Sequence, residues 1–181
     1  MEKKPIASMD ASPSLLGFGC MRFPKLENGK INRPEAEKML DYAYAHGVNY
    51  YDTAYMYHDG ESEQFIGDYL MQKYPRDSFY LASKLPIWFC KTPDDMERIF
   101  NEQLARCHTD HFDFYLLHSV DQEKWAQIEE FHAYDFVQKK REEGKIKYIG
   151  FSYHDDPKYL TAMVEAHPWD FVQLQVNYLD W

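Results

Sequence analysis

Hydrophobic and polar positions along this chain fall into a repeating order. Short apolar runs alternate with longer stretches whose apolar residues recur every three or four positions. The short runs read as strands buried on both faces. The longer stretches read as amphipathic helices. Residues 1–14 are polar, carry two prolines and are expected to form an extended lead-in. Leu15 to Phe23 is the first strand candidate, and Gly17 and Gly19 within it suggest close approach by a ligand or a neighbouring strand. Pro34 opens a helix to about His46, with Gly47 as its stop. Val48 to Ala54 is the second strand. Ser62 is expected to cap a helix from Glu63 to about Lys73, in which Phe65, Ile66, Tyr69 and Leu70 share a face. Phe79 to Leu85 is the third strand. Thr92-Pro93-Asp94-Asp95 starts a helix to about Cys107. Phe112 to His118 is the fourth strand, followed by one long helix from Glu123 to Glu143, stopped by Gly144. Lys145 to Ser152 is the fifth strand, Asp155-Asp156-Pro157 starts a helix to about Ala166, and Phe171 to Val176 is the sixth strand.

Strand and helix alternate, which implies right-handed βαβ units and a parallel sheet. A doubly wound sheet would carry a glycine-rich phosphate turn after its first strand. Here Gly17-Phe18-Gly19 lies inside the strand. Polar residues collect instead at strand C-terminal ends, namely Asp52, Lys84, His118 and Ser152. That is the catalytic end of a (β/α)8 barrel. Such barrels have eight units and typically about 250 residues. The α/β reading is therefore a TIM-type barrel, incomplete over these 181 residues, with six parallel strands and five helices. Residues 1–14 are the lead-in, and residues 15–181 form a partial barrel without strands seven and eight. The chain is expected to be a piece of a longer or truncated protein, and its open first and sixth strands invite self-association.

Composition narrows the function. A net charge of -10 disfavours nucleic acid, which needs a basic patch. Cys20, Cys90 and Cys107 are widely spaced, and the odd count argues against a disulfide framework. No metal site is expected from them. The N-terminus lacks an apolar signal region, and no run is long enough to span a membrane, so a reducing cytoplasm is expected.

The strand-end residues carry a chemistry when taken together. A free tyrosine, with a pKa near about 10, is a poor proton donor at neutral pH. A neighbouring cation lowers it. Lys84, one strand over, can supply that cation to Tyr57, and Asp52 can hold the ammonium in place. His118 can donate to a carbonyl oxygen and orient it. Such a set protonates a carbonyl oxygen as hydride arrives at carbon. Each residue also has a plainer reading: Asp52 as a turn residue, Tyr57 as one of 15 tyrosines with Tyr55 as rival, Lys84 at the surface, His118 in the core.

Tyr51-Asp52-Thr53-Ala54-x-x-Tyr57-x-x-Gly60-x-Ser62-Glu63, Ser83-Lys84, Tyr115-Leu116-Leu117-His118, Gly144 to Ser152 and Phe171 to Tyr178 together resemble the aldo-keto reductase family, from about Leu15 to Trp181. The resemblance implies an NADPH- or NADH-dependent enzyme, with NADPH favoured, acting on small-molecule aldehydes or ketones. It implies a catalytic tetrad of Asp52, Tyr57, Lys84 and His118. Gly19, Cys20 and Met21 would approach the cofactor, Ser152 and Gln173 would hold its carboxamide, and Trp88 would form a pocket wall or pack in the core. His58 stands where the family usually has glycine, and Tyr153 where many members have asparagine. The variants around Gly19 and Gly150 resemble the branch that often carries a C-terminal ferredoxin-like extension. The rival reading is a binding or regulatory subunit that keeps the fold without turnover.

Overall fold

The structure, a computed structural model, describes residues 1–177 and 179. Six strands form one parallel sheet in sequence order: β1 (Phe18–Gly19), β2 (Tyr50–Asp52), β3 (Tyr80–Leu85), β4 (Phe112–Val120), β5 (Ile146–Tyr153) and β6 (Phe171–Leu174). Five helical connections join them. They are α1 (Arg33–Ala45), the pair α2 (Glu61–Asp68) and α3 (Leu70–Lys73), α4 (Asp94–Arg106), the pair α5 (Gln122–Glu130) and α6 (Ala133–Glu142), and α7 (Pro157–Ala166). The α/β, incomplete barrel expected from the sequence is what the chain forms. Among the described residues no helix is long and apolar enough to cross a membrane.

Residues on a strand alternate between faces, and register joins the inward set across strands. Gly19 lies beside Asp52, and Asp52 beside Ala82. Lys84 lies beside Leu116, Leu116 beside Gly150, and Ser152 beside Gln173. The concave side fills with rings. Phe114 on β4 meets Tyr50 at 5.1 Å and Phe171 at 5.3 Å between centroids, so the sheet curls tightly enough for β2 and β6 to reach one central residue. The outward set, including Tyr51, Leu81, Tyr115, Ile149 and Phe151, packs under the helices as the main core.

Several local expectations change. Residues 1–14 are not extended. They fold back as a hairpin with antiparallel bridges Lys3–Ser14 and Ile6–Ala11. Its Met9 and Ala11 plug the bottom of the concave core against Ala82, Phe114 and Leu116. Asn49 locks it, accepting the Ser14 N–H at 2.6 Å. The stretch from Glu123 to Glu143 is two helices, because His132 turns left-handed (φ 53°) between them. Ser62 does not cap α2. Gly60, at φ 90°, turns the chain, and the Ser62 hydroxyl donates to the Cys20 carbonyl at 2.9 Å, tying α2 to the end of β1. At the rims, Leu15, Leu16, Leu174 and Val176 are exposed.

Candidate active site

The inward alternation ends in polar residues at the C-terminal edge of the sheet. Tyr80-Ala82 leads to Lys84 on β3, Phe114-Leu116 to His118 on β4, and Tyr148-Gly150 to Ser152 on β5. Above them opens a cleft of about 630 Å³. Met21, Tyr57, Lys84, Trp88, His118 and Ser152 line it, with Gln173 at the β6 side.

Lys84 is the hub. Only 2% exposed, it ion-pairs with Asp52 and donates to the Thr53 carbonyl at 2.8 Å. Its third contact is the Tyr57 hydroxyl at 3.3 Å. Burial works against the ammonium, but Asp52 and Tyr57 outweigh it and its pKa is raised. Tyr57 opens a single helical turn after β2, Tyr57–Gly60. Burial raises its pKa, and Lys84 offsets this only in part. The cation therefore does not bring Tyr57 below the ordinary tyrosine range, contrary to the sequence expectation. In this pocket desolvation of the phenolate is the larger effect.

His118 packs edge-on to Tyr57, 5.7 Å between centroids, and tilted to Trp88 at 5.2 Å. Burial first, then the nearby Lys84 ammonium, push its pKa down to about 3, so the imidazole is neutral. Its Nδ1 is buried with no partner. A neutral ring has one donor and one acceptor nitrogen, and the tautomer with its proton on Nε2 is the one that donates there.

A second layer fixes β3 from behind. Gln103 of α4 donates to the Lys84 carbonyl at 3.0 Å and to Glu63 at 2.6 Å, and accepts from the Tyr115 hydroxyl at 2.5 Å. Ser83 donates to the same Glu63 oxygen at 2.6 Å. Burial raises the Glu63 pKa against the pull of Ser83, Gln103 and Arg106.

The other sequence candidates fall unevenly. Met21 faces the cleft. Cys20 is fully buried behind it, its N–H bonded to the Asp52 carbonyl at 2.8 Å, so its thiol meets no ligand. Gly19 has open space where a Cβ would stand. The Ser152 hydroxyl accepts the Ser119 N–H at 2.7 Å. Tyr153 points away, donating to the Asp156 carbonyl at 2.6 Å. Trp88 is a cleft wall that also packs on the core. For a nicotinamide, the fit is good at this end. A carboxamide needs the donor and acceptor that Gln173 and Ser152, both lining the cleft, carry.

Sequence reasoning missed His58, Ser119, Lys124 and His154, all of which line the cleft. Ser119 lies in the last residues of β4 and His154 directly follows β5, a usable signal. His58 adopts φ 53° and accepts the Phe23 N–H at its Nε2, 3.0 Å away. Lys124 comes from the first turn of α5, which no strand-end rule would reach.

Comparison with known proteins identifies the family. The sequence model described as the Aldo/keto reductase family matches residues 15–181. A probable aldo-keto reductase from Glycine max is 30% identical over 170 residues, covering 90% of this chain and 47% of that protein. The Schizosaccharomyces pombe aldo-keto reductase yakc, whose name carries NADP(+), is 29% identical over 152 residues, covering 79% of this chain and 43% of that one. The holo form of an aldo-keto reductase from Bacillus halodurans is 26% identical with a TM-score of 0.76, over 97% of this chain and 58% of that one. The chain spans about half the length of the curated relatives it matches. By the family match across residues 15–181 and the barrel geometry that accompanies it, this chain belongs to the aldo/keto reductase family.

Proposed function

We propose that this chain carries the proton-donating half of an NAD(P)H-dependent reductase of aldehyde or ketone carbonyls. The observation that carries the reading is the Lys84 ammonium, held by Asp52 and in reach of the Tyr57 hydroxyl at 3.3 Å. A carbonyl oxygen between Tyr57 and His118 Nε2 has two donors. Tyr57, kept neutral by burial, gives its proton as charge develops on that oxygen. The phenolate left behind faces Lys84, whose charge favours it. His118 stays neutral and orients the carbonyl by donation. Trp88 excludes water from one side. NADPH or NADH supplies the hydride when bound, with Ser152, Gln173, Gly19 and Met21 as the residues that would hold its nicotinamide end. The NADP(+) in the name of the Schizosaccharomyces pombe relative supports NADPH.

The test is turnover of benzaldehyde with NADPH, followed by NADPH absorbance, in the wild-type protein and in Tyr57→Phe. Losing the general acid lowers turnover by about 10²- to 10⁴-fold. Wild-type turnover in Tyr57→Phe would remove Tyr57 from the chemistry. A folded wild type that binds NADPH, read by tryptophan quenching, yet turns over no aldehyde would favour a binding subunit.

A further inference from the structure

The chain has 30 acidic residues against 20 Lys and Arg, yet its cleft is lined by Lys84, Lys124, His58, His118 and His154 and by no Asp or Glu among the described residues. Three of these are committed. Lys84 serves Asp52 and Tyr57, His118 faces the carbonyl position, and His58 Nε2 accepts from Phe23. Lys124 and His154 remain.

We propose that the carbonyl substrate carries a carboxylate, and that Lys124, with His154 lining the same cleft, receives that carboxylate. This extends the reductase reading and rests on it for the carbonyl end. Lys124 stands with its Nζ 5.5 Å from the Trp88 ring centroid, over the cleft wall. Asp121, the N-cap of α5, fixes it there. The Asp121 side chain accepts the Lys124 N–H at 2.8 Å and ion-pairs with its ammonium. That pair engages one of three ammonium donors. Asp155, next to His154, is turned to the α5 backbone, accepting the Gln122 N–H at 3.2 Å, and Asp156 pairs with Lys158. Lys124 Nζ lies 5.5 Å from the Trp88 ring, whose centroid is 5.2 Å from that of His118, and His154 lines the same cleft, so one small molecule can span both ends. Trp88 lies between them as a flat apolar floor.

The test compares 4-carboxybenzaldehyde with 4-formylbenzamide, a neutral isostere, using the protein with NADPH. The expected result is a kcat/KM at least about tenfold higher for the carboxylate, as one charge-assisted contact provides. In Lys124→Gln that ratio falls to about one, through KM. Equal values in the wild type, or an unchanged ratio in Lys124→Gln, overturn the proposal. If Lys124 serves the dinucleotide instead, Lys124→Gln weakens NADPH binding and leaves the ratio unchanged, which also overturns it. Quenching of tryptophan fluorescence by 4-carboxybenzaldehyde, without NADPH, reads the subsite apart from turnover. Saturable quenching lost in Lys124→Gln but kept in Tyr57→Phe supports the subsite even if no aldehyde is reduced. No saturable quenching in the wild type counts against it.

Discussion

Lys84 on β3 meets Tyr57 in the turn after β2 with the ammonium 3.3 Å from the phenol oxygen, yet the phenol is harder to ionise than a free tyrosine. The cation does not make a phenolate in the resting site. In the proposed reaction it acts after proton transfer, when a phenolate would need a partner. Asp52, in turn, keeps the cation charged in a place that would otherwise discharge it.

Lys84→Met leaves the Asp52 carboxylate largely buried with its charge uncompensated. The expected loss is about 3–5 kcal/mol of unfolding free energy in a urea titration, as for one partner of a buried pair. Lys84→Met with Asp52→Asn is expected to recover part of that loss, since the lone charge is gone. A single variant as stable as wild type would mean that water reaches Asp52.

His118 sets a pH limit. Its pKa falls from 6.5 to about 3 on folding. A depressed histidine stabilises fully above its unfolded value, and that stability is lost as pH falls below it. Between pH 6.5 and 5 the loss attributable to His118 is about 2 kcal/mol. It is measured as the difference in pH dependence of unfolding between wild type and His118→Gln. Parallel curves would place the imidazole in contact with solvent.

His58 holds a left-handed backbone at φ 53° while its ring accepts from Phe23. His58→Gly and His58→Ala both lose the ring, but only alanine keeps the left-handed cost. Alanine is expected to be less stable than glycine by about 1 kcal/mol in denaturant unfolding. Glycine, where the family usually stands, removes strain but also opens the cleft wall.

Gly150 lies under β6, where an added Cβ would stand 2.5 Å from the Phe171 carbonyl oxygen and 2.8 Å from its ring. Gly150→Ala is expected to push β6 off β5, at about 1–3 kcal/mol as for overpacking. Faster amide exchange at β6 than at β4 would locate the damage.

The six strands were legible because buried parallel strands are written as apolar runs, and the strand ends Asp52, Lys84 and His118 because polar residues there break those runs. The ends of β1 and β6 were not. Leu15 to Phe23 is apolar apart from Arg22, but only Phe18–Gly19 pairs, with Tyr51 and Asp52 of β2. His132 breaks a helix with no Gly or Pro to announce it. The direction of the Tyr57 pKa depends on how deeply the phenol is buried, which local sequence does not state. Lys124 reaches the cleft only because Asp121 and Trp88 hold it there.

Gln103 has one more consequence. Its amide grips the Lys84 carbonyl from α4, nine residues after that helix begins at Asp94. A helix turns about 100° per residue. Removing one residue between Asp94 and Gln103 would swing the amide around the helix and aim it elsewhere. Helix α4 therefore has a phase as well as a place. Insertions there are tolerable only in near-whole turns, and the lysine at the centre of the cleft inherits a length constraint from a helix on the outside of the barrel.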